Sequence, residues 1–151
     1  MLPASVVAES GDGDGKLPLP PKDTKAVERR GVDLVLAREQ ALGRQPIEQA
    51  FNNPGFDVLS HRSGEDPVRI EVKARIDGAE DFFITNTEAM TALNAAPNYR
   101  LALVRVDPRG PGHDEVRYLE NPFSAYELGD FAATGIRGDW KKMWAKGQEP
   151  F

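Results

Sequence analysis

The sequence predicts an α/β fold: one mixed β-sheet with helices packed against it. Three observations predict it. Residues 68–75, Val-Arg-Ile-Glu-Val-Lys-Ala-Arg, alternate apolar and charged, the signature of a strand with one face turned to a core. Residues 99–106, Tyr-Arg-Leu-Ala-Leu-Val-Arg-Val, are almost continuously apolar, as strands inside a sheet are. Around them the elements run helix, strand, strand, strand, helix, strand, a meander followed by a helical crossover, which makes a mixed sheet.

The opening 22 residues carry Gly-Asp-Gly-Asp-Gly and Leu-Pro-Leu-Pro-Pro, too rich in glycine and proline to nucleate a packed element. They are expected to be a flexible tail or linker. Asp23 or Thr24 caps a helix running to about Leu42, with Gly43 as its stop. Leu34, Val35, Ala37, Ala41 and Leu42 give that helix an apolar face, with Glu39 at the edge. After Arg44-Gln45-Pro46 comes a connection, and Phe56–Ser60 reads as a short strand. His61 to Pro67 is turn chemistry, so strands 56–60 and 68–75 are expected to form an antiparallel hairpin.

Asp77-Gly78 turns the chain into Phe82-Phe83-Ile84, a third strand. Thr85 and Glu88 match a capping box that opens a helix ending before Pro97. After the apolar strand and a Pro/Gly turn at 108–112, a short edge strand is expected near Val116–Leu119. Residues 23–123 are thus the expected core domain and 124–151 a C-terminal helical extension. There, Trp140 and Trp144 are expected to pack on the body rather than stack on bases.

At 151 residues the chain suits one domain with a proper core. It has no cysteine, which excludes disulfides and thiolate metal sites and is compatible with a reducing cytoplasm. No basic, then apolar, leader pattern opens the chain, and no apolar run approaches the ~18–20 residues of a membrane span. The net charge of −5 argues against non-specific coating of DNA. Local basic clusters at Arg29/Arg30, Arg69/Arg75 and Arg137 to Lys146 leave nucleic-acid binding open. His61 and His113 lie in different turns, a poor basis for a zinc site or a histidine nucleophile.

Asp57, Glu71 and Lys73 form the candidate constellation. Glu71 and Lys73 share a strand face, and Asp57 lies on the preceding strand. Hard oxygen ligands suit Mg²⁺, which takes one or two carboxylates and keeps several waters. Asp57, Glu71 and a strand carbonyl, that of Val72, are a suitable donor set. Lys73 is placed to orient water or stabilise developing charge. Glu39 could supply a further acid. The competing reading is an exposed cross-strand ion pair, typically worth ~0–1 kcal/mol. Arg69 and Arg75 flank the acids and suit phosphate contacts and solvent equally.

These residues, with Gly55-Phe56-Asp57-Val58-Leu59-Ser60, Ile70-Glu71-Val72-Lys73, Thr85-Asn86-Thr87-Glu88 and Tyr99-Arg-Leu-Ala-Leu-Val, resemble the NO VEIN C-terminal domain family over roughly residues 27–123. That domain is similar to the PD-(D/E)xK restriction-endonuclease-like superfamily. The resemblance implies a restriction-endonuclease-like αβββαβ core and a Mg²⁺- or Mn²⁺-dependent endonuclease acting on DNA, double-stranded by preference. It implies links to restriction, phage defence or a helicase partner, and a homodimer is compatible with it. Asp57 would match the first acid, Glu71 the second, Lys73 the lysine and Glu39 the first-helix acid; Phe56 stands where proline often precedes the first acid. The alternative is a nuclease-like module without catalysis that binds DNA or a protein partner.

Overall fold

The computed structural model describes residues 24–123 and 135–151. The expected tail at 1–22 and the first part of the expected C-terminal extension, 124–134, lie outside the described residues. The elements run α1 (Thr24–Ala41), β1 (Gln45–Glu48), β2 (Val58–His61), β3 (Val68–Ile76), β4 (Asp81–Thr85), α2 (Asn86–Ala95), β5 (Tyr99–Val106), β6 (Glu115–Leu119), β7 (Gly135–Asp139) and α3 (Trp140–Lys146). The expected αβββαβ order is present as α1, β2, β3, β4, α2 and β5.

Five strands form the main sheet in the order β1-β2-β3-β5-β6. Among the described residues only β3 and β5 pair in parallel, Arg69 opposite Tyr99 and Glu71 opposite Leu101. The other neighbours pair antiparallel, including the expected β2–β3 hairpin, with Val58 opposite Ile70. The sheet is mixed because α2 carries the chain across to β5 while the other connections turn back.

Two core layers enclose the sheet. On one face α1 lays Val27, Gly31 and Val35 against Val58, Ile70, Ala102, Val104 and Val106. Fully burying Val58 or Ile70 contributes roughly 1.5–3 kcal/mol each. Gly31 sets how deep α1 sits: a Cβ there would fall 2.6 Å from the Cβ of Ala74. On the other face Phe82, Ile84, Ala89, Ala92 and Trp140 cover Tyr99, Leu101 and Leu103.

That second layer departs from expectation. The strand at 81–85 forms but leaves the main sheet and pairs with β7, Phe83 opposite Arg137. The extension expected to be helical therefore contributes a strand as well as α3. Its glycines hid it from a hydrophobic pattern, and they are required: side chains at Gly135 and Gly138 would strike the rings of Phe83 and Phe82. Strand β1, Gln-Pro-Ile-Glu, was equally hidden, because it has one aliphatic residue and a proline that suits a sheet edge, which is where it lies. The tryptophans do pack on the body: Trp140 is buried edge-on to Phe82, and Trp144 stacks on Trp140.

With both faces covered, the charged side of β3 does not point into solvent. Glu71 is only 4% exposed. No helix among the described residues is long and apolar enough to cross a membrane.

Candidate active site

The ordered pairing of β2 with β3 stops at Val58 and Ile70. Just before it, the Asp57 N–H donates to the Ile70 carbonyl at 2.8 Å. The Asp57 side chain then takes over where the ladder ends, its Oδ2 accepting the Val72 N–H at 2.8 Å. This bond anchors the first acid beside β3, one residue from Glu71. Glu71 and Lys73 share the face of β3 beneath β4 and α2, and the Lys73 ammonium lies 3.2 Å from Glu71 Oε2. It also donates to Glu88 Oε1 at 2.9 Å.

Glu88 reaches this place through the capping box. The Thr85 hydroxyl accepts the Glu88 N–H, and Glu88 Oε1 accepts the Thr85 N–H, at 3.1 and 3.0 Å. One carboxylate oxygen thus accepts the N-cap N–H of α2 and holds the lysine of β3. All four side chains line a cleft of about 600 Å³, whose walls include Glu28 of α1, Arg75 of β3 and Phe83 of β4.

Three carboxylates here share one ammonium. Burial, then repulsion from Asp57, raises the Glu71 carboxyl to about 9, against the pull of Lys73. At neutral pH Glu71 therefore holds a proton. Burial also raises Asp57, opposed by the Val72 N–H and by Lys73. Burial disfavours the Lys73 ammonium, yet Glu71 and Glu88 outweigh it and lift its pKa. Glu88 is likewise penalised by burial, but Lys73 and the Thr85 N–H bring it below the usual carboxylate range. Beside them the Tyr99 hydroxyl is buried without a hydrogen-bond partner. Its pKa is raised first by burial and then by the acids, so it stays a phenol.

The fold thus brings Asp57, Glu71, Lys73 and the Val72 backbone together. Arg75 also lines the cleft, with its guanidinium on Asp81. Arg69 is not part of the cleft wall and lies over the Phe56 ring, 5.6 Å from its centroid.

Glu39 is not brought to this cluster. It continues the buried stripe Val27, Gly31, Val35 at four-residue spacing and is fully buried. There it pairs with Arg44 at 2.6 Å and accepts the Tyr118 hydroxyl at 2.7 Å. Burial is outweighed by these partners, and Glu39 lies below the usual carboxylate range. The first-helix acid that does line the cleft is Glu28, eleven residues earlier and about 16 Å away along the axis.

Glu88 in the cluster and Glu39 outside it each carried a readable signal. Glu88 was visible as a cap, and a capping box turns its carboxylate back toward the preceding strand end. The stripe through Gly31 would have placed Glu39 in the core, had the glycine been counted as apolar.

Among the described residues no group of three or more acids or histidines is arranged to enclose a metal ion. Mg²⁺ needs fewer: one or two carboxylates with waters completing the shell. Asp57, Glu71 and the Val72 carbonyl are such a donor set, all hard oxygens. The proton forced onto Glu71 marks the negative charge that a divalent cation would balance. The residues fit that kind of ion.

A search of curated proteins finds no match. Among solved structures, the chain is similar to the Holliday junction resolvase Hjc from the archaeal hyperthermophile Archaeoglobus fulgidus. The two are 17% identical, with 78% of this chain and 94% of that one covered and a TM-score of 0.49. The profile of the family described as Protein NO VEIN, C-terminal, matches residues 27–119, more than half of the sequence and nearly all of the sheet with α1 and α2. This chain belongs to the NO VEIN C-terminal family.

Proposed function

We propose that this domain is a divalent-metal-dependent endonuclease that hydrolyses phosphodiester bonds in DNA. One observation carries the reading: a buried glutamate, crowded by two more carboxylates and a single lysine, lies in the wall of an open cleft. A surface ion pair has no reason to be arranged so, since burying excess like charge costs stability unless something balances it.

Asp57 and Glu71, with the Val72 carbonyl, would hold Mg²⁺ or Mn²⁺. When bound, such an ion stabilises charge on phosphoryl oxygens and makes water more acidic. The Val72 N–H keeps the Asp57 carboxylate aimed beside β3. Lys73, held by Glu71 and Glu88, orients the attacking water and offsets charge that develops at phosphorus. Glu28, rather than Glu39, is the acid from α1 that would assist. Arg75 is the strand arginine in reach of a phosphate in the cleft, and Arg69 could contact the backbone only outside it.

The test is nicking or linearisation of a supercoiled plasmid with Mg²⁺ or Mn²⁺. Glu71→Gln and Lys73→Ala should each lose about 100-fold or more in rate. Equal rates in all three proteins would discard these roles.

A second reading has an observation in its favour. Lys73 is already engaged by both Glu71 and Glu88, a pairing a purely structural cluster would also make. On that reading the domain is a nuclease-like module without catalysis, binding DNA or a subunit of a helicase or defence complex. Calorimetry decides: micromolar Mn²⁺ uptake that vanishes in Asp57→Asn supports the nuclease, while DNA binding indifferent to EDTA without any cleavage supports the module.

A further inference from the structure

Two aromatic rings stand at the rim of the same cleft. Phe51, in the loop between β1 and β2, is 96% exposed, and Phe83 of β4 is 44% exposed. Phe51 adds almost nothing to the core, and its ring is open to a ligand in the cleft. Phe83 is backed by the chain at Gly135, where a side chain would come within 2.5 Å of the ring, so the ring is braced from behind.

The charge of the cleft points the same way. Its described lining has five acidic side chains against four cations, and three of those cations are committed: Arg29 to Glu48 and Asp33, Arg75 to Asp81, and Lys73 to Glu71 and Glu88. Proteins that grip an uninterrupted duplex do so mainly by neutralising phosphates with lysine and arginine. This cleft is poorly equipped for that. Single strands also favour a basic groove, but an unpaired base adds stacking on aromatic side chains, a source of affinity that the paired and already stacked bases of a duplex do not offer.

Resting on the nuclease reading above, we propose that Phe51 and Phe83 stack an unpaired base. The substrate class is then DNA with a single-stranded segment, such as a tail, flap or gap, rather than an uninterrupted duplex. The base held at the rim would present its adjoining phosphodiester to Asp57, Glu71 and Lys73. The expected double-stranded preference is thereby narrowed to duplexes carrying an unpaired stretch.

The experiment measures fluorescence anisotropy of labelled DNA with Ca²⁺ in place of Mg²⁺, comparing a blunt duplex, the same duplex with a single-stranded tail, and the tail alone. Cleavage with Mn²⁺ is followed separately on the same three. Wild type should bind the tailed duplex and the tail at least about 10-fold more tightly than the blunt duplex. Phe51→Ala should lose roughly 5- to 100-fold in affinity for the unpaired forms, with no effect on the blunt duplex, and Phe83→Ala should lose less. Because Phe51 is exposed, its removal leaves the fold intact.

Equal affinity of Phe51→Ala and wild type for the tail overturns the proposal, as does a blunt duplex bound as tightly as a tailed one, or no binding to any form. If the blunt duplex is cut and Phe51→Ala cuts it equally well, the stacking proposal falls while the nuclease stands. Phe51-dependent binding of the tail without cleavage under Mn²⁺ upholds the stacking site and removes the nuclease reading instead.

Discussion

Glu39, on α1, and Glu71, on β3 of the sheet that α1 covers, are both buried glutamates, and their surroundings push them in opposite directions. Glu39 meets a guanidinium and a phenol hydroxyl and is held ionised. Glu71 meets two further acids around one ammonium and is held protonated, its pKa near 9. The first cluster is complete among protein atoms. The second sets three acids around one ammonium, and it opens on a cleft. Burial alone does not mark a functional acid; an unbalanced buried acid beside an opening does.

This contrast can be broken first at the completed cluster. Arg44→Ala strands the Glu39 carboxylate in the core and should cost about 3–5 kcal/mol in urea unfolding. A loss below 1 kcal/mol would mean the pair is not structural. Because the folded-state pKa of Glu39 is lowered, its contribution is present above the unfolded value of ~4.3 and is lost as pH falls below it. Glu39→Gln should therefore unfold less steeply with acid than wild type, and its plasmid cleavage per folded molecule should be unchanged.

Glu71 has the opposite sign. Its raised pKa means the folded state binds more protons than the unfolded state between pH ~4.3 and about 9, so stability falls as pH rises through that window. In metal-free buffer Glu71→Gln should be more stable than wild type, on the order of 2–4 kcal/mol at pH 7, the gap widening toward pH 9. Thermal melts at pH 5, 7 and 9 check it, and a variant less stable than wild type at all three would reverse the electrostatic account. Adding Mn²⁺ at one hundred times its dissociation constant should stabilise wild type by about 2.7 kcal/mol and leave Asp57→Asn unmoved.

The smallest expected effect tests what separates the clusters. Gly31 lies on α1 between Glu28 and Glu39, and its missing side chain lets the helix rest on Ala74. Gly31→Ala should cost about 1–3 kcal/mol by overpacking. If cleavage falls further than stability does, the depth of α1 also sets the position of Glu28.

Much of the site was legible because its logic is local. Glu71 and Lys73 sit on one strand of a hairpin with Asp57 immediately before the other, and an alternating strand commits Glu71 and Lys73 to one face. The Thr85–Glu88 box was equally readable as a cap. The assignment of Glu39 failed because Arg44 and Tyr118, which complete its ion pair, are a turn and a strand that no helix pattern reports. The role of Glu88 as lysine partner depends on the landing of α2 beside β3, again a long-range fact. The strands at 45–48 and 135–139 lack a hydrophobic signature, and only their neighbours make them strands.

By itself, then, the sequence determined the strand and helix identities of the central elements and the grouping of two acids with a lysine. Period-2 alternation and capping chemistry act over a few residues and need no partner. Only the tertiary structure decided which first-helix acid faces the cleft, that β4 and α2 cover the charged side of β3, and hence that Glu71 is buried and protonated. Those outcomes come from packing between segments far apart in the chain, where desolvation and charge add up over neighbours that no short window of sequence contains.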